Sequence, residues 1–167
     1  YAYEDGNEIS LAAILEIVAG FNTKIVCVTG GEPLMNKETP LLIERLLVEN
    51  HTVLVETNGS YDIRTIPQKA VKIMDIKCPD SNMSHLMNWQ NLDYLTASDE
   101  VKLVLRSRKD YEWTKELIHK YKLSNIAKVL IGTVFGAISP QLVVRWILED
   151  NLNVRFQLQL HKYIWEP

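Results

Sequence analysis

The sequence predicts an α/β fold, a partial (β/α) barrel with mainly parallel strands, on three observations. Short apolar runs alternate with helical patterns along the whole chain. The runs are rich in Val, Ile and Leu without interruption, as suits parallel strands covered on both faces. Helix starts are marked at Thr39-Pro40 and Ser139-Pro140, where a hydroxyl precedes a proline whose fixed φ and missing N–H suit the first helical position.

Taken in order, Ser10 caps a helix running toward Gly20, and Lys24 to Thr29 is the first strand. The helix opened by Thr39-Pro40 carries Ile43, Leu46 and Leu47 on one face. Strands follow at Thr52 to Glu56 and Val71 to Asp75; a helical segment is expected next, its pattern weakest over Met83 to Trp89. Glu100 to Leu105 is a further strand, and Ser107 with Asp110 opens a helix bearing Trp113, Leu117 and Tyr121. Lys128 to Ile131 is a strand, Leu142, Val143, Trp146 and Ile147 share a helix face, and Val154 to Leu160 alternates like a more exposed strand. This order argues for repeated right-handed βα units. A doubly wound open sheet is the alternative, because element order alone does not say whether a sheet curls.

A chain of 167 residues, 47% hydrophobic and 23% charged, buries one sizeable core, so residues 1–167 are expected to form a single domain. Lys and Arg total 18 against 21 Asp and Glu, with no basic run, which argues against nucleic acid and for a small-molecule substrate. No apolar stretch approaches the roughly 20 residues that cross a bilayer, and no basic-then-apolar leader precedes the first helix, so a cytoplasmic protein is expected. Cys27 and Cys78 are too far apart for a paired metal motif, and a disulfide framework is not expected. Tyr1-Ala2-Tyr3-Glu4-Asp5 reads like the middle of a loop, which suggests that Tyr1 is not the biological start.

Ligands of parallel α/β folds gather at the carboxyl ends of the strands. There the chain reads Thr29-Gly30-Gly31-Glu32-Pro33, then Glu56-Thr57-Asn58-Gly59, then Asp75-Ile76-Lys77-Cys78-Pro79. The glycine pair lets backbone approach a ligand closely, Glu32 adds a carboxylate that can face an ammonium, and Pro33 stiffens the exit. Alone, the pair reads as a tight βα turn and Asn58-Gly59 as an ordinary turn signal. Asp75 and Lys77 present opposite charges either to a zwitterionic ligand or to each other. Neither a P-loop nor a GxGxxG follows any strand.

Thr29-Gly30-Gly31-Glu32-Pro33 resembles the GGEP motif of radical S-adenosylmethionine (SAM) enzymes, whose backbone and glutamate bind the amino group of SAM. Thr57-Asn58-Gly59 and Asp75-Ile76-Lys77 are similar to the succession in that superfamily. The tail from Gln157 through His161 and Lys162 to Pro167, with Tyr1-Ala2 and Glu4, resembles the 7-carboxy-7-deazaguanine synthase family within it. The resemblance implies that Thr29 contacts substrate, and that Gly30, Gly31, Glu32, Pro33 and Asn58 belong to the SAM site. It also implies that Asp75, Ile76 and Lys77 lie along SAM, as do Gly132, Thr133, Val134 and Phe135, though Gly-Thr-Val-Phe-Gly departs from the glutamine-proline wording of other members. Pro167 matches a terminal proline that touches substrate; His161 and Lys162 are structural, near the pocket, or on a solvated tail.

The cofactors so implied are SAM, a [4Fe-4S] cluster and Mg2+. The CxxxCxxC loop that holds such a cluster is absent, and Cys27 and Cys78 do not replace it. That loop, the preceding strand and a magnesium-binding threonine are therefore expected upstream of Tyr1. The implied activity is a radical SAM lyase of queuosine and 7-deazapurine biosynthesis: a 5′-deoxyadenosyl radical abstracts hydrogen from 6-carboxy-5,6,7,8-tetrahydropterin, and ring contraction with loss of ammonia gives 7-carboxy-7-deazaguanine. An electron donor such as flavodoxin and a homodimer are implied with it. Alternatives are a glycyl-radical-enzyme activase of the same superfamily and a non-catalytic nucleotide-binding module.

Overall fold

Strand order decides between the two topologies that the sequence leaves open. The computed structural model describes residues 7–165. In it β1 (Ile25–Val28), β2 (Thr52–Thr57), β3 (Val71–Asp75), β4 (Glu100–Leu105), β5 (Lys128–Thr133) and β6 (Arg155–Phe156) form one parallel sheet in sequence order. A doubly wound sheet must reverse its strand order at a switch point. None occurs here, so the winding is that of a partial barrel, left open between β1 and β6.

The two faces of the sheet differ sharply. Val53, Val55, Met74, Val101, Leu103, Leu105, Val129 and Ile131 are buried on one face. Against them pack Ile43 and Leu46 of α2 (Thr39–Val48), Tyr111, Leu117 and Ile118 of α3 (Arg108–Tyr121), Leu123 of α4 (Leu123–Ile126), and Val143 and Ile147 of α5 (Pro140–Glu149). Each such aliphatic side chain contributes about 1.5–3 kcal/mol on burial. The other face carries the alternate positions, among them Glu56, Asp75 and Lys102, and stays partly exposed. The continuous apolar runs were expected to be covered on both sides; among the described residues the helices named above pack on the buried face, and β2 and β4 alternate between buried and half-buried residues.

Two buried polar groups fix connections on the covered side. Asp99, fully buried, accepts from the Lys72 N–H (2.8 Å), the Thr96 N–H (2.8 Å) and the Thr96 hydroxyl (2.9 Å), and pairs with the Lys72 ammonium at 3.2 Å. Such a pair persists in the interior only when its remaining lone pairs are satisfied, as here. Asn91, also fully buried, donates to the carbonyls of Gly59 (2.9 Å) and Tyr61 (2.7 Å) and accepts from the Ile63 N–H (3.3 Å). It therefore shapes the connection that leaves β2.

Most predicted elements recur with edges moved by a residue or two. The Ser10, Ser107 and Ser139 hydroxyls accept from Ala13, Asp110 and Leu142 N–H at 3.3, 3.2 and 3.3 Å, capping α1 (Leu11–Ala19), α3 and α5. Thr39 departs from expectation: α2 begins at Thr39 itself, and its hydroxyl donates to the Pro33 carbonyl at 2.6 Å instead of capping. Met83 to Trp89 forms no α-helix; short 3-10 turns at Ser84–Leu86 and Trp89–Tyr94 carry the chain to β4. The expected strand over Val154 to Leu160 shrinks to Arg155–Phe156, followed by one further bond from the Gln157 N–H to the Ile131 carbonyl (2.8 Å). The tail then turns into α6 (His161–Ile164).

Candidate functional site

The site is built where β1, β2 and β3 end side by side. In parallel register Thr57 lies opposite Met74, and Asp75 opposite Lys102, so the loops that follow emerge at one rim. Adjacent strands are about 4.8 Å apart, which brings successive loop tips within reach of one small ligand.

At the β1 tip Gly30 has φ +154°, and a Cβ placed on it would meet no atom within 4 Å. Its backbone is thus open to an incoming group. Thr29 beside it is exposed and Gly31 half-buried. Glu32 reads from the sequence as a carboxylate that can face a ligand ammonium. Its side chain turns inward, with 6% of the residue exposed, and accepts from the Leu34 N–H (3.1 Å), the Asn58 N–H (2.7 Å) and the Thr57 hydroxyl (2.9 and 3.0 Å to its two oxygens). Pro33 opens the turn Pro33–Met35 that follows.

At the β2 tip the Asn58 Oδ1 accepts from the Ser60 N–H (2.9 Å) and hydroxyl (2.6 Å), so that oxygen is engaged within the turn. Gly59 has φ +72°, and a Cβ there would lie 2.7 Å from the Met87 sulfur, which accounts for glycine on both conformational and steric grounds. At the β3 tip the Lys77 ammonium meets the Asp75 carboxylate at 2.7 Å, with both side chains partly exposed. Of the two readings open for this pair, mutual pairing is realised, and both charges still border the mouth. Ile76 is 1% exposed and its N–H donates to the Lys102 carbonyl (2.9 Å), so its side chain belongs to the core.

A cavity of about 200 Å³ opens here, bounded by Asp75, Lys77, Lys102, Arg106, Val134 and Gln159. Val134 borders the mouth from the exit of β5; Gly132 lines a smaller hollow beside it with Lys102 and Gln159, and a Cβ on Gly132 would come within 3.1 Å of the Gln157 carbonyl. Thr133 is 5% exposed and faces the helices. Phe135 is exposed and stacks edge-on against Tyr163 at 5.3 Å, drawing α6 over the β5 loop. His161 is exposed at the start of that helix, and Pro167 lies outside the described residues. A wider cleft of about 340 Å³ at Ala97, Ser124, Lys128 and Arg155 opens at the amino ends of the strands, away from these loops.

Residue reasoning passed over Lys102 and Arg106. Lys102 pairs with Glu56 at 3.4 Å on the open face. Its signal was available: strand alternation over Glu100 to Leu105 sets Lys102 on the face opposite Val101 and Leu103. Arg106, one residue past β4, was legible only once β4 was known to end beside β3.

The pairing of open glycine backbone with charges of both signs fits a zwitterionic nucleotide such as SAM. The cysteines do not fit a [4Fe-4S] cluster. Cys27 is exposed as a residue, with its thiol raised by partial desolvation against the sheet first and then by Glu56; Cys78 is buried, and burial pushes its thiol up to about 12. Two such thiols do not make the three-thiolate set. Among the described residues no group of three or more His, Cys, Asp or Glu could hold a metal ion.

Comparison with known proteins gives concordant results. The model of the radical SAM superfamily matches residues 1–139. The 7-carboxy-7-deazaguanine synthase of Koribacter versatilis is 35% identical over 185 residues, covering 100% of this chain and 80% of its own length. That of Chlorobaculum tepidum is 36% identical over 170 residues, covering 100% of this chain and 77% of its own. Among solved structures, QueE from Escherichia coli superposes with a TM-score of 0.70 over 90% of this chain and 64% of its own, at 19% identity.

Proposed function

The chain belongs to the radical SAM superfamily and, within it, to the 7-carboxy-7-deazaguanine synthase family, and from that premise we propose that the mouth at β1 to β3 binds SAM and that the protein converts 6-carboxy-5,6,7,8-tetrahydropterin to 7-carboxy-7-deazaguanine with loss of ammonia. The observation that carries this is the convergence of the Gly30-Gly31, Asn58 and Asp75-Lys77 loops at one rim, beside a charged cavity. When bound, SAM supplies the hydrogen-abstracting group; the chemistry is the cofactor's, and the chain supplies orientation.

In this reading the open backbone at Gly30 and Gly31 receives the ammonium end of SAM, and Lys77 and Asp75 hold its carboxylate and a hydroxyl. Ile76 and Thr133 act through backbone alone, since their side chains are buried. Val134 and Phe135 flank the nucleotide from β5. The substrate lies over the open face, where Glu56 and Lys102 offer an acceptor and a donor, and Thr29 bounds it from β1. His161 and Pro167 would border the pterin from the tail. A misplacement of reacting atoms can cost on the order of 100-fold in rate, which is why the loop tips are tied to the sheet.

The test is to reconstitute the gene product with iron and sulfide without oxygen and supply SAM, reductant, magnesium and the carboxytetrahydropterin. Formation of the carboxydeazaguanine is expected. Normal SAM cleavage without that product would reject the substrate. No helix of the described residues is long and apolar enough to cross a membrane. A cytoplasmic location, a flavodoxin-type electron donor, a homodimer and one domain over residues 1–167 complete the proposal.

A further inference from the structure

Resting on the SAM reading of this site, we infer that Glu32 is a positioning residue that locks the β1 and β2 loops into one body, and that its carboxylate does not touch the SAM ammonium. Every oxygen contact points that way. Oε1 takes the Leu34 N–H at 3.1 Å, which closes the turn after Gly31, and Oε2 takes the Asn58 N–H at 2.7 Å from the neighbouring loop. The Thr57 hydroxyl donates toward both oxygens, at 2.9 and 3.0 Å, and itself accepts from the Gly59 N–H at 3.2 Å. The chain of contacts runs from Gly59 through Thr57 to Glu32 and Leu34. It spans 27 sequence positions and joins the two loops that leave neighbouring strands β1 and β2.

Burial makes the lock specific. Glu32 and Thr57 are 6% and 2% exposed, so water does not compete for these contacts, and bonds to a buried carboxylate are the stronger kind. A shorter carboxylate would not span the gap. A neutral amide would set its own N–H groups against the N–H of Leu34 or Asn58, because each carboxylate oxygen takes a backbone N–H. The consequence for the ligand is geometric. Gly30, at φ +154° and open on its Cβ side, lies two positions before a residue anchored to the neighbouring loop.

Glu32→Gln, Thr57→Val and Thr57→Ser separate positioning from contact. For each, the dissociation constant is measured by equilibrium dialysis for SAM and for the analogue in which hydrogen replaces the α-amino group. Amide exchange of Asn58 and Leu34 is followed without ligand. Glu32→Gln and Thr57→Val are each expected to weaken both ligands by the same factor, about 10-fold or more, from loss of bonds to a charged group. The double variant is expected to be no worse than the weaker single, because the two residues act as one unit. Thr57→Ser, which keeps the hydroxyl, is expected to retain wild-type affinity, and Asn58 exchange is expected to quicken in the other two. If Glu32→Gln weakened SAM and spared the amine-free analogue, the carboxylate would be a direct contact and the inference overturned. Unchanged Asn58 exchange would overturn it as well. Should Glu32→Gln not fold, the Thr57 pair carries the same comparison. A wild-type protein that bound no SAM would fail the site reading, while the ligand-free exchange would still decide the lock.

Discussion

Cys27 and Cys78 show how far a residue's chemistry depends on where its strand runs. Both were legible as unpaired cysteines that do not make a cluster, but not that one is exposed at the sheet edge and the other buried under α3, within 3.8 Å of the Thr114 hydroxyl. Burial is the largest cause raising the Cys78 thiol, to about 12, and it also removes access, so the thiolate that alkylation requires does not form. Peptide mapping after iodoacetamide at pH 8 is therefore expected to find Cys27 labelled and Cys78 unlabelled on the folded protein, and both labelled after denaturation. Equal labelling of both in the fold would contradict the packing around Cys78. Glu32 teaches the same lesson at the β1 tip: a carboxylate beside two glycines reads as a ligand contact from sequence, and only the position of Thr57 on the next strand reveals the bonds its oxygens make within the chain.

Among the elements, α3 and α5 are joined by a small network that sets a pH dependence. The Tyr111 ring is fully buried between the helices, while its hydroxyl donates to Asp150 at 2.6 Å, and Lys115 reaches the same carboxylate at 3.1 Å. Burial first, and then the bond to Asp150, raise the Tyr111 hydroxyl above its ordinary value near 10. The unfolded chain releases that proton near pH 10 while the folded one keeps it, so stability is full below about pH 10 and falls as pH rises further. For Asp150 the Tyr111 hydroxyl, followed by Lys115, lowers the carboxyl below the usual range, so its contribution is present above about pH 4 and is lost as pH falls through the folded value. Thermal unfolding of Tyr111→Phe across pH 8 to 11 is expected to lose the alkaline component selectively. An unchanged alkaline slope would remove Tyr111 as its source. The helix starts at Ser10, Ser107 and Ser139 were readable because capping is local. The Met83 to Trp89 segment was not, because it is held by tertiary bonds such as that from Asn88 N–H to the Gly59 carbonyl (3.0 Å).

For the whole molecule, the proposed ligand mouth lies at the carboxyl ends of the strands and the wider cleft at the amino ends, which makes the SAM assignment spatially testable. At 100 times its dissociation constant a ligand stabilises the fold by about 2.7 kcal/mol, and each kcal/mol moves Tm by about 2–4 °C for a domain of this size. SAM is expected to raise Tm accordingly and to slow amide exchange at Gly31, Asn58 and Lys77 together, leaving Ser124 and Arg155 unchanged. Protection confined to the Ser124 and Arg155 end would transfer the site to the other cleft. By itself the sequence determined the alternation of strands and helices, most element edges and the loops that bear the motif residues, since periodicity, caps and turn signals are local properties of the chain. Only the tertiary structure decided that the strands run in sequence order, that one face stays open with Glu56 and Lys102 on it, and which motif side chains turn inward. Those depend on which strand lies beside which, and neighbour relations across 25 or more positions are set by packing of the whole core, for which no short stretch of residues carries the signal.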